Sequence, residues 1–394
     1  MPQGPLAGVR IVDLSIAAAG PYATAILASQ GADVVKVERP DGGDFMRHAG
    51  ATWKGVSALF AGWNRGKESI CIDLQKPEGA DIVRRLVREA DVFVHNLRPG
   101  NAEKMGLGYE DLRAVKRDII YVILTGWGER GPLAGAPAYD TVMQAVCGFA
   151  SNQGGGDSHE PRFIQNAICD KTTGLILSQL ITSALYSRRS TGEGQRVHVS
   201  MLQAALAFLW PDGMQAATFL DAEPGKAVAA KPPPLHRTAD GWISISLHTD
   251  KEHQSLCRVL ALEELAQDAR FAKGKDRYRN FPALWAIVAP VLARRTTAEL
   301  ARRFAENRVP FAVVNSPERV HEDPQVAAIE ALEIQSHPTA GRTRLPRPVG
   351  DFSVTPLATP SPAPDLGQQT DLVLRRLGFS DDDISRLRAS GAVA

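Results

Sequence analysis

An α/β fold is what this sequence predicts: a large parallel-sheet domain followed by a smaller α+β domain. Three observations carry that reading. Apolar strand-like runs alternate with helical patterns from residue 9 to residue 200, a proline-rich break lies near residue 230, and 394 residues exceed the usual size of one domain. Residues 9–14 (VRIVDL) read as a buried strand. The small-residue turn Ala17-Ala18-Ala19-Gly20-Pro21 follows, then a helix to about Gln30 with Gly31 as its stop, and a strand over residues 34–37. Further strands are predicted at 70–74, 92–96 and 119–124, with helices at 79–90 and 109–115 between them. Alternation of this kind predicts parallel strands with helices on both faces.

Beyond residue 150 a long helical pattern begins near Asp170, with Leu175, Ile176, Leu180, Ile181 and Leu185 at helical spacing, and a strand follows at 197–200. Composition changes at 224–234, where Pro232, Pro233 and Pro234 form a stiff connector. The predicted smaller domain has a strand at 241–247 and helices at 251–262, 283–294 and 297–307, the last opened by a Thr296/Glu299 capping box. A second proline-rich stretch at 356–364 precedes two short helices ending near Arg388. The domain reading is therefore 1–222 large domain, 223–235 linker, 236–330 small domain, and 331–394 returning to the large one.

Charge excludes some functions. With 45 Lys+Arg against 44 Asp+Glu the net charge is +1, which implies no nucleic-acid surface but leaves room for a local basic pocket. Cys71, Cys147, Cys169 and Cys257 are widely separated and lack metal or redox spacing, and His48, His95, His198 and His248 lack ligand spacing, so no metal site is expected. No apolar run approaches the roughly 20 residues that cross a bilayer, and no export signal opens the chain. A cytoplasmic protein with no membrane association is the expectation.

The first β-α-β unit invites a dinucleotide reading, because Glu38 ends the second strand where a ribose-binding acid would stand. Its turn, Ser15 to Gly20, holds one glycine where the phosphate-binding fingerprint needs three, so nicotinamide binding is not expected. Gly154-Gly155-Gly156 is followed by Asp157 rather than by a helix and reads as a loop. Asp170, in Asn166-Ala167-Ile168-Cys169-Asp170-Lys171-Thr172-Thr173-Gly174, falls at or just inside a helix N-terminus. Taken locally, that position suits a capping residue, and the helix dipole there favours an ionised carboxylate.

The ordered motifs along the chain decide between these readings. Leu6 through Asp13, Ala19-Gly20-Pro21, Gly31 through Glu38, Asn64-Arg65-Gly66-Lys67, Asn96-Leu97-Arg98-Pro99-Gly100 and Met105-Gly106 come first. Thr125-Gly126-Trp127-Gly128, Ala138-Tyr139-Asp140, the Asp170 string, Thr191 through Gln195, His337-Pro338, Leu366-Gly367 and Leu377-Gly378 follow in order. In this succession the chain resembles the class III CoA-transferases over nearly its full length. The resemblance implies a Rossmann-like large domain, an interlocked homodimer, coenzyme A or an acyl-CoA as substrate with no tightly bound cofactor, a carboxylic acid as second substrate, and Asp170 as nucleophile. It also implies a coenzyme A site in which Arg39, Arg98 and Lys104 supply charge. There Ala17, Ala18, Asn96 and Leu97 supply backbone and walls, and Ile72, Asp73 and Met105 line the path. The chain departs from some relatives in having Thr125 and Pro137 where they carry lysines.

Related α-methylacyl-CoA racemases place a histidine where Tyr139 stands. A tyrosine with an ordinary pKa near 10 is a poor base at neutral pH, which favours transfer over racemisation. Tyr139, Arg47 and His48 are the expected acyl and acceptor contacts. The implied reaction passes through an aspartyl anhydride and an aspartyl-CoA thioester; an acyl-CoA racemase and a non-catalytic acyl-CoA binder are the alternatives.

Overall fold

The computed structural model describes residues 4–154, 160–223 and 233–394. Gly155, Gly156, Asp157 and most of the expected 223–235 linker lie outside the described residues. The chain divides into two compact units, one made of residues up to 227 and from 331 onward, the other of 228–330.

A six-stranded sheet organises the first unit. Its strands in chain order are β1 (Arg10–Asp13), β2 (Asp33–Glu38), β3 (Lys67–Cys71), β4 (Val92–His95), β5 (Ile120–Thr125) and β6 (Arg196–Ser200), arranged β3-β2-β1-β4-β5-β6. Every pairing is parallel, with Ile11 opposite both Val34 and Val92. This is the doubly wound order of Rossmann-like folds, which reverses direction between β1 and β4 and so opens a crevice at their carboxyl ends.

Alternation along the strands feeds two cores. Ile11, Val92, Val94 and Val122 point to one face, where α1 (Ala19–Ser29) supplies Ala23 and Leu27 and α5 (Ile168–Thr191) supplies Leu177 and Ile181. Val12, Phe93, Tyr121 and Ile123 point to the other, against Ile82 and Val83 of α2 (Pro77–Glu89) and Val373 and Leu374 of Thr370–Arg376. The C-terminal segment thus completes the first unit's core. This unit also contains α3 (Tyr109–Val115) and α4 (Asp140–Val146).

The second unit has its own core of Ile243, Ile245, Leu256, Phe271, Trp285 and Phe304. Its antiparallel sheet runs Phe311–Val313, Trp242–Ile245, His236–Arg237, and its main helices are Asp250–Leu260, Phe281–Leu292 and Thr297–Glu306. At Thr297–Glu306 only half of the expected capping box forms: Thr296 Oγ1 accepts the Glu299 amide, while the Glu299 carboxylate turns to Arg303 one turn on. The complete box of this unit is at Thr249/Glu252.

Candidate active site

Two loops, leaving β1 and β4, meet at the crevice. Asn96 Nδ2 donates to the Ile16 carbonyl at 2.8 Å, and the Ile16 amide donates to Asn96 Oδ1 at 3.0 Å, so one side chain stitches the loops together. Ala17 beside it is left-handed, with φ 71°, a conformation that opposes its Cβ and needs outside support. Asp44 provides it, accepting the Ala17 amide at 3.2 Å. His95 fixes the second loop. Tyr121 donates its hydroxyl to the Leu107 carbonyl, so His95 Nε2 donates to Tyr121, and Nδ1 accepts the Leu97 amide. That arrangement needs a neutral ring, and burial lowers the His95 pKa to about 4.

Beneath these loops lies a buried ion network. Asp13 accepts from Ser15, Thr24 and the Lys67 ammonium at 3.0 Å, Lys36 pairs with Asp44 at 3.1 Å, and Glu38 takes two bonds from Arg47 and one from Ser69. Burial alone would raise the Asp13 carboxyl, but Lys67, Lys36 and the hydroxyls hold it down at about 2.

Asp170 is built into the third position of α5. Gly174, one turn on, lies where a Cβ would stand 2.8 Å from the Ala19 carbonyl, so this glycine lets α1 and α5 approach backbone to backbone. Their N-termini converge, and the Ala19 amide donates to the Asp170 carboxylate. The cap of α5 is not Asp170. Asp140 Oδ1 accepts the amides of Cys169 at 2.8 Å and Asp170 at 3.1 Å. Gln144, fully buried, clamps the assembly: its Nε2 donates to Asp140 Oδ2 at 2.7 Å and to the carbonyls of Ile164 and Asn166, and its Oε1 accepts the Ile164 amide.

The helix terminus therefore gives Asp170 less help than its position promises, because two of the free amides already serve Asp140. Burial, and then the negative charge of Asp140, push the Asp170 pKa up to about 7 against the opposing Ala19 bond. A carboxylate with raised proton affinity in a cleft is a candidate for chemistry.

Asp170 opens into a cavity of about 900 Å³, which also takes in Ala17, Ala18, Asn96, Leu97, Arg98 and Tyr139. A second cavity of about 500 Å³ takes in Arg39, Ile72, Asp73, Lys104 and Met105, and Ile16, Phe45, Leu97 and Asn101 line both. Through these shared residues the two form one trough, with Asp170 and Arg98 in the larger part and Arg39 and Lys104, beside Glu38, Asp44 and Asp73, in the smaller. Tyr139 is 61 % exposed, so it is no core aromatic.

Arg47 and His48 line neither cavity. Arg47 is locked by two bonds to Glu38, one to the Pro364 carbonyl and a stack on Phe60 at 3.7 Å, which leaves it no free fork for a substrate carboxylate; His48 contacts the Gly42 carbonyl. Among the described residues no cluster of three or more His, Cys, Asp or Glu is placed to hold a metal.

The family model "CoA-transferase family III" matches residues 6–370. The chain belongs to CoA-transferase family III. It is 32 % identical over 397 residues to the succinyl-CoA:glutarate CoA-transferase of Mus musculus, covering 99 % of this chain and 90 % of that one. It is 34 % identical to the succinate–glutarate CoA-transferase of Agrobacterium fabrum, covering 95 % and 96 %. A solved CaiB/BaiF family protein from Brucella suis superposes with a TM-score of 0.82 at 32 % identity, over 95 % of this chain and all of that one.

Sequence reasoning passed over Asp140, Gln144 and Lys171 as site residues. Asp140 stands beside Tyr139 in Ala138-Tyr139-Asp140, yet its capping bonds reach 29 and 30 residues along the chain, beyond local capping rules. The signal for Lys171 was present: a cation directly after the candidate nucleophile.

Proposed function

We propose that this family III CoA-transferase moves coenzyme A from an acyl-CoA donor to a free carboxylic acid, with Asp170 as covalent relay. The observation that carries the reading is a single one: a carboxylate with raised proton affinity in a cavity that also holds Arg98 and that shares its wall with a second cavity holding Arg39 and Lys104. In the first step the ionised Asp170 carboxylate attacks the thioester carbonyl, expelling CoA thiolate and leaving an aspartyl-acyl anhydride. The thiolate then attacks the aspartyl carbonyl and releases the donor acid as its carboxylate. An incoming carboxylate attacks the resulting aspartyl-CoA thioester, and the freed thiolate takes the acyl group from the new anhydride, regenerating Asp170. In this scheme the Ala19 amide, which donates to the Asp170 carboxylate, stabilises the tetrahedral oxyanions, and the apolar walls Phe45, Leu59 and Trp63 keep water from the anhydride.

Coenzyme A binds with its phosphates toward Arg39, Arg98 and Lys104 and its thiol toward Asp170. The relatives named for succinyl-CoA and glutarate support a short dicarboxylic acid as acceptor. The active form is an interlocked homodimer, in which a partner copy covers exposed apolar side chains such as Tyr186, Phe208, Phe219 and Leu220. Four free, buried cysteines fit a reducing, cytoplasmic site of action. Among the described residues no helix is long and apolar enough to cross a membrane.

The test is to incubate the protein with succinyl-CoA and trap with hydroxylamine or borohydride. Modification of Asp170 alone, together with transfer of coenzyme A to glutarate seen by mass spectrometry, is the expected result. Label on another residue, or scrambling of a chiral 2-methylacyl-CoA in deuterium oxide, would overturn it.

A further inference from the structure

The charged lining of the larger cavity is sparse: Arg98, Lys171, Asp140 and Asp170. Arg98 lies beside Leu97 and Asn101, which the cavity shares with its neighbour, and so belongs to the coenzyme A end. Lys171 lines the same cavity, next in chain to Asp170, half-buried, with no ion pair or side-chain hydrogen bond to any described residue. It forms no ion pair with Asp140, whose two oxygens accept from the Cys169 and Asp170 amides and from Gln144. A half-buried ammonium with no described partner is open to an anionic group that enters the cleft.

Resting on the transfer reading above, we propose that Lys171 is a specificity-determining residue that pairs with the second carboxylate of a dicarboxylic substrate, the one that does not react. The reacting carboxylate cannot be its main partner. That group loses its charge on forming the anhydride, so a fixed cation would hold it back, whereas the distal carboxylate stays ionised throughout the cycle. Lys171 thus binds ground and transition states alike, and its loss raises KM and leaves kcat nearly unchanged. It also offsets the like charge that an anionic acid meets from Asp140 in this cavity.

The experiment compares glutarate with pentanoate, of equal chain length, as acceptors at saturating succinyl-CoA, in the unaltered enzyme and in Lys171→Met and Lys171→Arg. Lys171→Met should raise the KM for glutarate roughly tenfold to a hundredfold with kcat within about twofold, and should leave pentanoate unaffected. Lys171→Arg should recover most of the preference. Trapping of Asp170 with succinyl-CoA and the far-UV circular dichroism spectrum are followed in every variant. Equal losses for both acids, a loss confined to kcat, no change with either, or collapse of the circular dichroism signal in both variants would overturn the assignment. In each of those cases an intact Asp170 label in the unaltered enzyme leaves the transfer reading standing. No label in the unaltered enzyme would overturn both.

Discussion

Two carboxylates sit near the same crevice and their environments drive them in opposite directions. Asp13, at the end of β1, is fully buried yet held at about 2, because Lys67 and Lys36 face it and Ser15 and Thr24 donate to it. Asp170, at the start of α5, has no cation within ion-pair distance among the described residues, has Asp140 beside it, and is pushed up to about 7. Burial raises both; the partners decide the outcome. A buried carboxylate supplied with cations holds the loops in place, whereas one denied them is free to bond to something else. The same contrast separates Arg47, fully engaged by Glu38, from Arg98, whose fork is uncommitted among the described residues.

The largest effect is expected at Asp170. Asp170→Asn should lower transfer by several orders of magnitude, the scale seen when a covalent nucleophile is removed, measured as turnover of succinyl-CoA with glutarate. Its effect on stability should have the opposite sign. With the folded pKa raised to about 7 from the ordinary 3.8, the acid's contribution is full below about 4 and is lost as the pH rises through 7. Denaturant titration should therefore find Asp170→Asn equal to the unaltered protein at pH 4 and more stable at pH 8, by about 1 to 3 kcal/mol. Equal stabilities at pH 8 would mean that Asp170 is no strained site.

Lys67→Met leaves Asp13 buried without its nearest cation. It should cost about 3 to 5 kcal/mol in chemical denaturation, as breaking one half of a buried ion pair does. A cost below about 1 kcal/mol would place the network among dispensable pairs and remove the contrast with Asp170.

Arg39→Gln, Arg98→Gln and Lys104→Gln probe the basic side chains of the trough. At least one should erase the advantage of coenzyme A over dephospho-CoA, about 1.5 to 3 kcal/mol or roughly tenfold to a hundredfold in Kd by calorimetry. If none does, the 3′-phosphate lies elsewhere.

The smallest effect is expected at Asp140. Asp140→Asn keeps an oxygen for the Cys169 and Asp170 amides but removes the charge, so the Asp170 pKa should fall. Because the nucleophile must be ionised, the acidic limb of kcat/KM should move to lower pH, by about one unit. Asp140→Ala should lose the cap as well, at about 1 kcal/mol in stability. An unmoved limb would assign the raised proton affinity to burial alone.

Strand and helix order was legible from residues 9–200 because buried parallel strands write continuous apolar runs, such as Ile120–Thr125, and because glycines such as Gly31 end helices locally. Asp170 was legible through its motif and its place at a helix start. The locking of Arg47 was not, since Glu38 is nine residues away and the Pro364 carbonyl 317. Tyr139 was legible as a residue type, but its exposure depends on how α4 is seated.

What the sequence determined by itself was the alternation of strands and helices, the ordered motifs that identify the family, and which side chains are available to react. Those properties are local, set by periodicity, turn chemistry and residue type. The tertiary structure decided which carboxylate is engaged and which is free. That choice rests on contacts such as Lys67 with Asp13, 54 residues apart, and Asp140 with the first turn of α5, about 30 apart. Charge interactions act through distance in space, and only the folded chain fixes those distances.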